Sequence, residues 1–129
     1  MLFAYNLSAQ AVRTKSRFGD AAAYVDGNTL KTKSRFGDPI CYFDGKQIRY
    51  KDRFGDVLYY FDGSVVKSKS RFGEPIYYFD GNTIRSKSRF GDELYYIDGK
   101  ELKVKNRFGK TLYWFDGLPE RWVIICLIR

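Results

Sequence analysis

The sequence predicts an all-β fold: a closed, shallow barrel of six 18-residue hairpin repeats, about 12 or 13 strands, with an apolar C-terminal plug. Three observations predict it. A Lys-x-Arg-Phe-Gly stretch occurs six times, eighteen residues apart, and an Asp-Gly pair recurs at the same spacing. The segments between them are rich in Tyr, Phe, Ile and Val, which favour strands, and none shows a helical period. The repeat therefore defines the architecture.

The expected organisation is one domain over residues 1–129, a length that can bury a single core. Residues 1–9 are predicted to be a degenerate first half-repeat, because Tyr5 to Ala9 stand where later units have Tyr-Tyr-Phe-Asp-Gly. Residues 10–117 hold the hairpin repeats. Residues 118–129 are the apolar segment that follows the last Asp-Gly.

Each unit is predicted to be one hairpin. The Tyr-Tyr-Phe stretch forms the first strand, Asp-Gly forms a type I′ turn with positive φ at both central residues, and the basic stretch forms the return strand. The Arg-Phe-Gly-Asp stretch then makes a looser connection, with its glycine available for the left-handed conformation.

A two-residue turn fixes which side chains share a face. In the hairpin of residues 75–88, one face carries Tyr77, Phe79 and Ile84. The other carries Tyr78 and Arg85, and it is predicted to continue through the lysine and arginine of the next Lys-x-Arg stretch. Over all repeats, 18 of the 23 Lys and Arg residues fall on this basic face. Which face points into the barrel stays open at this point.

Two physical constraints predict that the sheet closes into a ring and that the tail fills it. An open row of hairpins would leave two bare edges, and a closed ring of about 12 strands is wider than side chains alone can fill. We therefore expect the tail to enter the barrel as a short helix. A further strand is the alternative, which the Val-Ile-Ile run favours locally. The candidate plug residues are Trp122, Val123, Ile124, Ile125, Leu127 and Ile128.

The repeat unit, followed by an apolar tail, resembles the β-flower repeat proteins, bacterial chains of near-identical hairpins arranged like petals around a shallow symmetric barrel. The resemblance covers residues 4–129. That family in turn looks like the tubby C-terminal domain and the phospholipid-scramblase-like barrels, in which twelve strands surround a hydrophobic C-terminal helix. The resemblance implies the barrel and its helix, and it implies no activity. This chain departs from it in its degraded first copy and its shorter, more β-branched tail.

The chemistry of the sequence favours a non-enzymatic protein. Histidine is absent, and the acids recur as turn residues. Cys41 occupies the position of Tyr59, Tyr77 and Tyr95 in other repeats, so we interpret Cys41 and Cys126 as buried small side chains. We expect no catalytic residue, no cofactor and no metal. With no signal-peptide pattern at the N-terminus, the predicted location is the cytoplasm, peripherally at the membrane.

The net charge of +8 favours an anionic partner. The first hypothesis is a lipid-binding module for anionic phospholipid headgroups or a membrane surface, acting as a monomer. The second is a structural or protein-interaction barrel in which the charges only solubilise the surface, Phe packs under its loop and Arg pairs with a nearby Asp. The third is sequence-independent nucleic-acid binding. The candidate anion-binding residues are Arg17, Arg35, Arg53, Arg71, Arg89, Arg107, Lys15, Lys33, Lys51, Lys69, Lys87 and Lys105.

Overall fold

The computed structural model describes residues 9–129 as a closed antiparallel barrel around one short helix. The predicted all-β barrel with a helical plug is confirmed, and the alternative of a further strand in the tail was wrong. Residues 1–8 of the expected half-repeat lie outside the described residues. The strands are β1 Ala9–Thr14, β2 Ala21–Asp26, β3 Thr29–Thr32, β4 Pro39–Phe43, β5 Gln47–Tyr50, β6 Val57–Asp62, β7 Val65–Ser68, β8 Pro75–Asp80, β9 Thr83–Ser86, β10 Glu93–Asp98, β11 Glu101–Val104 and β12 Thr111–Phe115, and the helix α1 is Arg121–Ile128.

The ring closes by pairing its first and last described strands. Five hairpins are continuous in sequence, from β2–β3 to β10–β11. The sixth combines β12 with β1, where Val12 pairs with Phe115. This is the register of the continuous hairpin β8–β9, where Ile84 pairs with Phe79. Because β1 occupies the place of a return strand, the described sheet has no free edge.

The tight turn differs from the predicted one by one residue. Asp80 pairs with Thr83, so the two loop residues are Gly81 and Asn82 rather than Asp80 and Gly81. Of these two, Gly81 has the positive φ, 61°, which is the pattern of a type II′ turn with glycine at its first central position. The predicted type I′ turn was therefore wrong. The predicted faces hold, because Phe79 and Ile84 still share one side of the sheet.

The apolar face points into the barrel. Phe79 and Ile84 are buried, whereas their neighbours Tyr78 and Arg85 lie on the outer face. Each return strand contributes one aliphatic side chain that is at most 1% exposed, and together these form an inner ring: Val12, Leu30, Ile48, Val66, Ile84 and Leu102.

Helix α1 fills the space inside this ring. Trp122 stacks on Phe43, with ring centroids 5.5 Å apart and planes 6° from parallel, and the Arg121 guanidinium lies 4.6 Å from the Phe79 ring centroid. Of the predicted plug residues, Trp122, Val123, Ile124 and Ile125 are buried, and Leu127 and Ile128 are half-buried at the far end of the helix.

The helix lies closer to one side of the barrel than to the other. The next inward layer has small side chains, Ala23 and Cys41, on β2 and β4, and tyrosines at the equivalent positions of the other first strands. The helix packs on β4, where the Arg129 guanidinium lies 3.7 Å from the Cys41 sulfur. On the opposite side, next to Tyr95 and Tyr113, a cavity remains.

We expect Ile124→Ala to lower the free energy of unfolding by about 2–5 kcal/mol, because it opens a cavity where Ile124 is fully buried. Urea unfolding measures the change. Leu118→Ala is the matched control, since Leu118 is 74% exposed and the substitution should change stability by less than about 0.5 kcal/mol.

A chain truncated after Gly117 should fail to form the barrel, since the inner ring of aliphatic side chains would face an empty interior. Circular dichroism of the truncated and full-length proteins tests this. A native-like spectrum and a cooperative transition without residues 118–129 would show that the helix is dispensable.

Candidate functional site

Six short connections lie together at one end of the barrel. We call them corners: residues 15–20, 33–38, 51–56, 69–74, 87–92 and 105–110. Each joins an odd-numbered strand to the next even-numbered strand, and since all pairs in the ring are antiparallel, all six corners occupy one rim. We call this end the corner rim. All twelve predicted anion-binding lysines and arginines belong to it.

Each corner begins with a sharp reversal at its lysine. In the corner 87–92, the Ser88 N–H donates to the Ser86 carbonyl at 2.7 Å, across Lys87 with φ 65°. This is a three-residue γ-turn with positive φ at its centre, a rare and strained conformation. The six corner lysines all have φ between 55° and 65°. The predicted continuation of the strand face through Lys87 was therefore wrong, because the strand ends at Ser86.

A second turn follows and uses the side chain after the lysine. The Gly91 N–H donates to the Ser88 carbonyl at 2.8 Å, and the Phe90 N–H donates to the Ser88 hydroxyl at 3.2 Å. The other corners repeat the latter bond at 2.9–3.2 Å with Ser16, Ser34, Asp52, Ser70 and Asn106. Sequence reasoning treated this position as variable. The signal was present, because Ser, Asp and Asn are the residues that form such turns.

The corner position requires glycine because a Cβ would collide with a backbone carbonyl, and not because the backbone there has a positive φ. A Cβ on Gly91 would lie 1.6 Å from the Ser86 carbonyl oxygen, and the other five corner glycines show 1.7 Å for the equivalent contact. The predicted left-handed glycine was wrong, since it is the lysine that adopts positive φ.

The Arg-Phe pair projects from each corner into solvent. The phenylalanine rings are 82–84% exposed, and each has an arginine guanidinium 4.9–5.0 Å from its centroid, a cation–π contact. We call each pair an Arg-Phe tip. The expected packing of Phe under its loop was wrong. Within residues 9–129, no corner arginine lies in an ion pair, so the expected Arg–Asp pair is not observed there.

The strand cations have a different role from the corner cations. Lys67 on β7 forms an ion pair with Asp62 at the end of β6, with 2.9 Å between the ammonium nitrogen and the carboxylate oxygen. The same ammonium group donates to the Arg71 carbonyl in the following corner, also at 2.9 Å. The hydrogen bond from Lys67 lowers the pKa of Asp62. Equivalent bonds to corner carbonyls are made by Arg13, Lys31, Arg49, Arg85 and Lys103. These six cations hold the corners, and the corner lysines and arginines are left for solvent or a ligand.

The charge of the described barrel is concentrated at the corner rim. Each corner has two cations, and Lys110 adds one, so the corners hold 13 of the 23 basic residues and 6 of the 15 acids. Their formal net charge is +7, out of +8 for the whole chain. The opposite rim has the Asp-Gly turns, in which six aspartates outnumber the two lysines that follow a turn glycine, Lys46 and Lys100.

The two cysteines lie inside the barrel and are free, as expected. A hydrogen bond to Cys41 and burial raise the pKa of the Cys126 thiol well above its usual range. Among the described residues there is no group of three or more Cys, Asp or Glu side chains that could hold a metal ion. No helix in residues 9–129 is long and apolar enough to cross a membrane.

Comparison with known proteins gives no match: not with any family model, any curated protein or any solved structure. The resemblance to the β-flower proteins therefore stays a prediction, carried by the repeat and the tail.

Lys87→Asn should raise the free energy of unfolding by about 0.5–1 kcal/mol, because Asn tolerates the left-handed conformation better than Lys. Ser64→Asn is the control and should be neutral, since Asn28 and Asn82 occupy the same position in other hairpins. If Lys87→Asn destabilises the protein in urea unfolding, the lysine side chain must contribute contacts that outweigh its backbone strain.

Gly91→Ala should lower the free energy of unfolding by about 1–3 kcal/mol, because the new methyl group collides with the Ser86 carbonyl. Gly117→Ala is the matched control. Its Cβ would lie 3.7 Å from the nearest atom and its φ is not positive, so the change should stay within about 0.5 kcal/mol. Equal losses for both variants in the same assay would contradict the close-approach explanation.

Proposed function

We propose that this protein is a non-enzymatic module that docks its corner rim on an anionic membrane surface. The observation that carries the proposal is the set of six Arg-Phe tips, each with a phenylalanine more than four-fifths exposed, at one end of a closed ring. Exposed apolar groups collected on one surface and rimmed by polar groups are typical of an interaction site.

The energetics favour a bilayer interface. Fully burying a phenylalanine side chain contributes about 1.5–3 kcal/mol, and each Lys or Arg near an anionic surface contributes about 1 kcal/mol. A tip offers both at once, since the guanidinium lies over the ring it accompanies. Partial insertion of six rings, with the corner cations at the level of the phosphates, would combine these small contributions into stable docking.

The strained lysines support a functional role for the corner rim. A residue other than glycine in the left-handed region costs about 1–2 kcal/mol, and here the cost recurs at six equivalent positions. Asparagine or glycine would fit the same backbone with less strain. Strain that persists at one location on the surface supports a hypothesis of function there, and six ammonium groups beside six Arg-Phe tips suit an anionic surface.

A membrane explains six exposed phenylalanines on one rim better than a nucleic acid does. Binding to nucleic acid is dominated by phosphate charge, and bases that stack on single rings would add to it without requiring a complete ring of six. A bilayer presents the same apolar layer to all six tips at once. Neighbouring tips are separated by two strands, about 10 Å, so the ring spans many lipid headgroups.

The test is co-sedimentation with vesicles of phosphatidylcholine alone and with phosphatidylserine added. The wild-type protein should bind the acidic vesicles only, and binding should weaken as salt rises. A variant with all six corner phenylalanines changed to serine should bind at least tenfold more weakly while keeping its circular dichroism spectrum. The substituted positions are Phe18, Phe36, Phe54, Phe72, Phe90 and Phe108.

Two half-substituted rings provide the matched control. One carries serine at residues 18, 54 and 90, and the other at residues 36, 72 and 108. If the six tips act as one ring, the two variants should lose the same intermediate amount of binding. Wild-type binding by the six-serine variant, or no preference for acidic vesicles at low salt, would contradict the proposal. A salt-sensitive complex with single-stranded DNA that survives the six serine substitutions would favour nucleic acid instead.

A further inference from the structure

A cavity of about 430 Å³ opens at the corner rim between the end of α1 and strands β10, β12 and β1. Its inner wall is apolar and includes Leu112, Tyr113, Leu127 and Ile128. Lys15 and Lys110 belong to the corners beside it and form its mouth. We call it the helix-end cavity. Its volume lies within the range of about 300–1,000 Å³ that is typical of small-molecule sites.

The cavity arises from the unequal layer of side chains around the helix. The small side chain of Cys41 lets α1 approach β4, and space remains on the opposite side, next to Tyr95 and Tyr113. The helix end that lines the cavity is only half-buried at Leu127 and Ile128. The apolar wall is therefore accessible from the corner rim, the end of the barrel that the proposed function places against the membrane.

Two grooves at neighbouring corners occupy equivalent positions, and their lining residues differ from those of the helix-end cavity. The groove beside Lys105 is lined by Asp92 and Glu93, and the groove beside Lys87 is lined by Glu74 and Pro75. At the matching positions the helix-end cavity has Lys110 and Thr111. The acid that follows the corner glycine in the other five corners is thus replaced by a cation at the one of these three grooves whose lining includes residues of the helix.

This replacement changes what the groove can bind. In the neighbouring grooves the carboxylate lies beside the corner lysine and would repel an anion. In the helix-end cavity the lining includes two lysines and no acid, and the Thr111 hydroxyl donates to the Glu101 carboxylate at 2.6 Å, which keeps that acid engaged. The Lys15 backbone is fixed by its N–H bond to the Leu112 carbonyl at 3.0 Å, so its side chain starts from a defined point at the mouth.

We propose that the helix-end cavity binds one acyl chain of an anionic phospholipid, with the lipid phosphate held between Lys15 and Lys110. The apolar residues next to the helix suit the acyl chain of such a lipid, and the two lysines at the mouth suit its phosphate. The inference rests on the proposed membrane docking for its source of ligand, because docking by the tips would bring the mouth to the lipid surface. The proposal gives the corner of residues 105–110 a selectivity for anionic lipid that the other five corners, each with an acid after its glycine, lack.

The test uses a soluble single-chain probe, decyl phosphate, below its micelle concentration. Methyl NMR of the full chain follows Leu112, Leu127 and Ile128 during titration. Decyl phosphate should shift these methyl signals saturably, and decyl maltoside and inorganic phosphate should each bind at least tenfold more weakly. Equal binding of inorganic phosphate would reduce the site to a surface anion site. Absence of shifts at Leu127 and Ile128 would overturn the proposal.

Lys110→Asp is the decisive variant, because it restores the acid found at four other corners and should fold normally. We expect it to weaken decyl phosphate binding at least tenfold. Asp92→Lys is the matched control: it creates a pair of lysines at a groove whose lining residues include none from the helix, and it should gain no saturable decyl phosphate binding. Unchanged binding by Lys110→Asp, or equal binding gained by Asp92→Lys, would contradict the proposal.

The failure of this inference can be told apart from that of membrane docking. The variant with serine at the six tips should no longer sediment with acidic vesicles but should still bind decyl phosphate. Lys110→Asp should lose decyl phosphate but still sediment with acidic vesicles. Vesicle binding without any decyl phosphate site would leave the docking function intact and remove the cavity from it.

Discussion

The pairing of β1 with β12 turns a row of hairpins into a ring, and the other features depend on it. With Val12 opposite Phe115, the sixth hairpin is assembled from strands that are about 100 residues apart in sequence but keep the register of the continuous ones. Closure gives all six corners one common rim. It also encloses an interior wider than the inward side chains can fill, which is why a helix is needed there.

The ring of hairpins is regular, with six near-identical corners, whereas the single helix inside it breaks that regularity. The corners are near-identical in their turns, in the exposure of their phenylalanines and in the contact of each arginine with its ring. A single helix cannot contact six equivalent walls equally, and here it packs on β4, where Cys41 stands in place of the tyrosine of other repeats. The outer surface is therefore regular and suited to a broad partner, whereas the interior is one-sided and leaves the helix-end cavity at the corner rim.

Sequence reasoning reached the barrel because the repeat, the strand composition and the cost of open edges all point to closure. It placed Phe79 and Ile84 on one face correctly because the observed turn moves the partner of Phe79 from Asn82 to Ile84, and a shift of two residues keeps each side chain on its face. It identified the tail as a plug because a ring of that width needs one. The β-branched run in Val123 to Ile125 favoured a strand only locally, and packing inside the ring outweighed that preference.

The corners were harder to predict, because their conformation depends on hydrogen bonds that composition does not reveal. Lysine has no intrinsic preference for positive φ, so nothing in the letter sequence indicated the reversal at Lys87. Phenylalanine is usually buried, so its exposure at the tips contradicts the ordinary expectation. The helix-end cavity could not be foreseen either, since it follows from the displacement of α1. The one relevant signal in the sequence was Lys110, the only corner position after glycine that lacks an acid.

The helix also determines how many units the chain can contain. Because β1 pairs with β12 in the register of a continuous hairpin, the pairing of β1 by itself does not determine the number of units. A ring of five hairpins would enclose a narrower interior and a ring of seven a wider one, whereas an α-helix with its side chains keeps a diameter of about 10–12 Å. The packing of residues 122–126 is therefore matched to the interior of a ring of six hairpins.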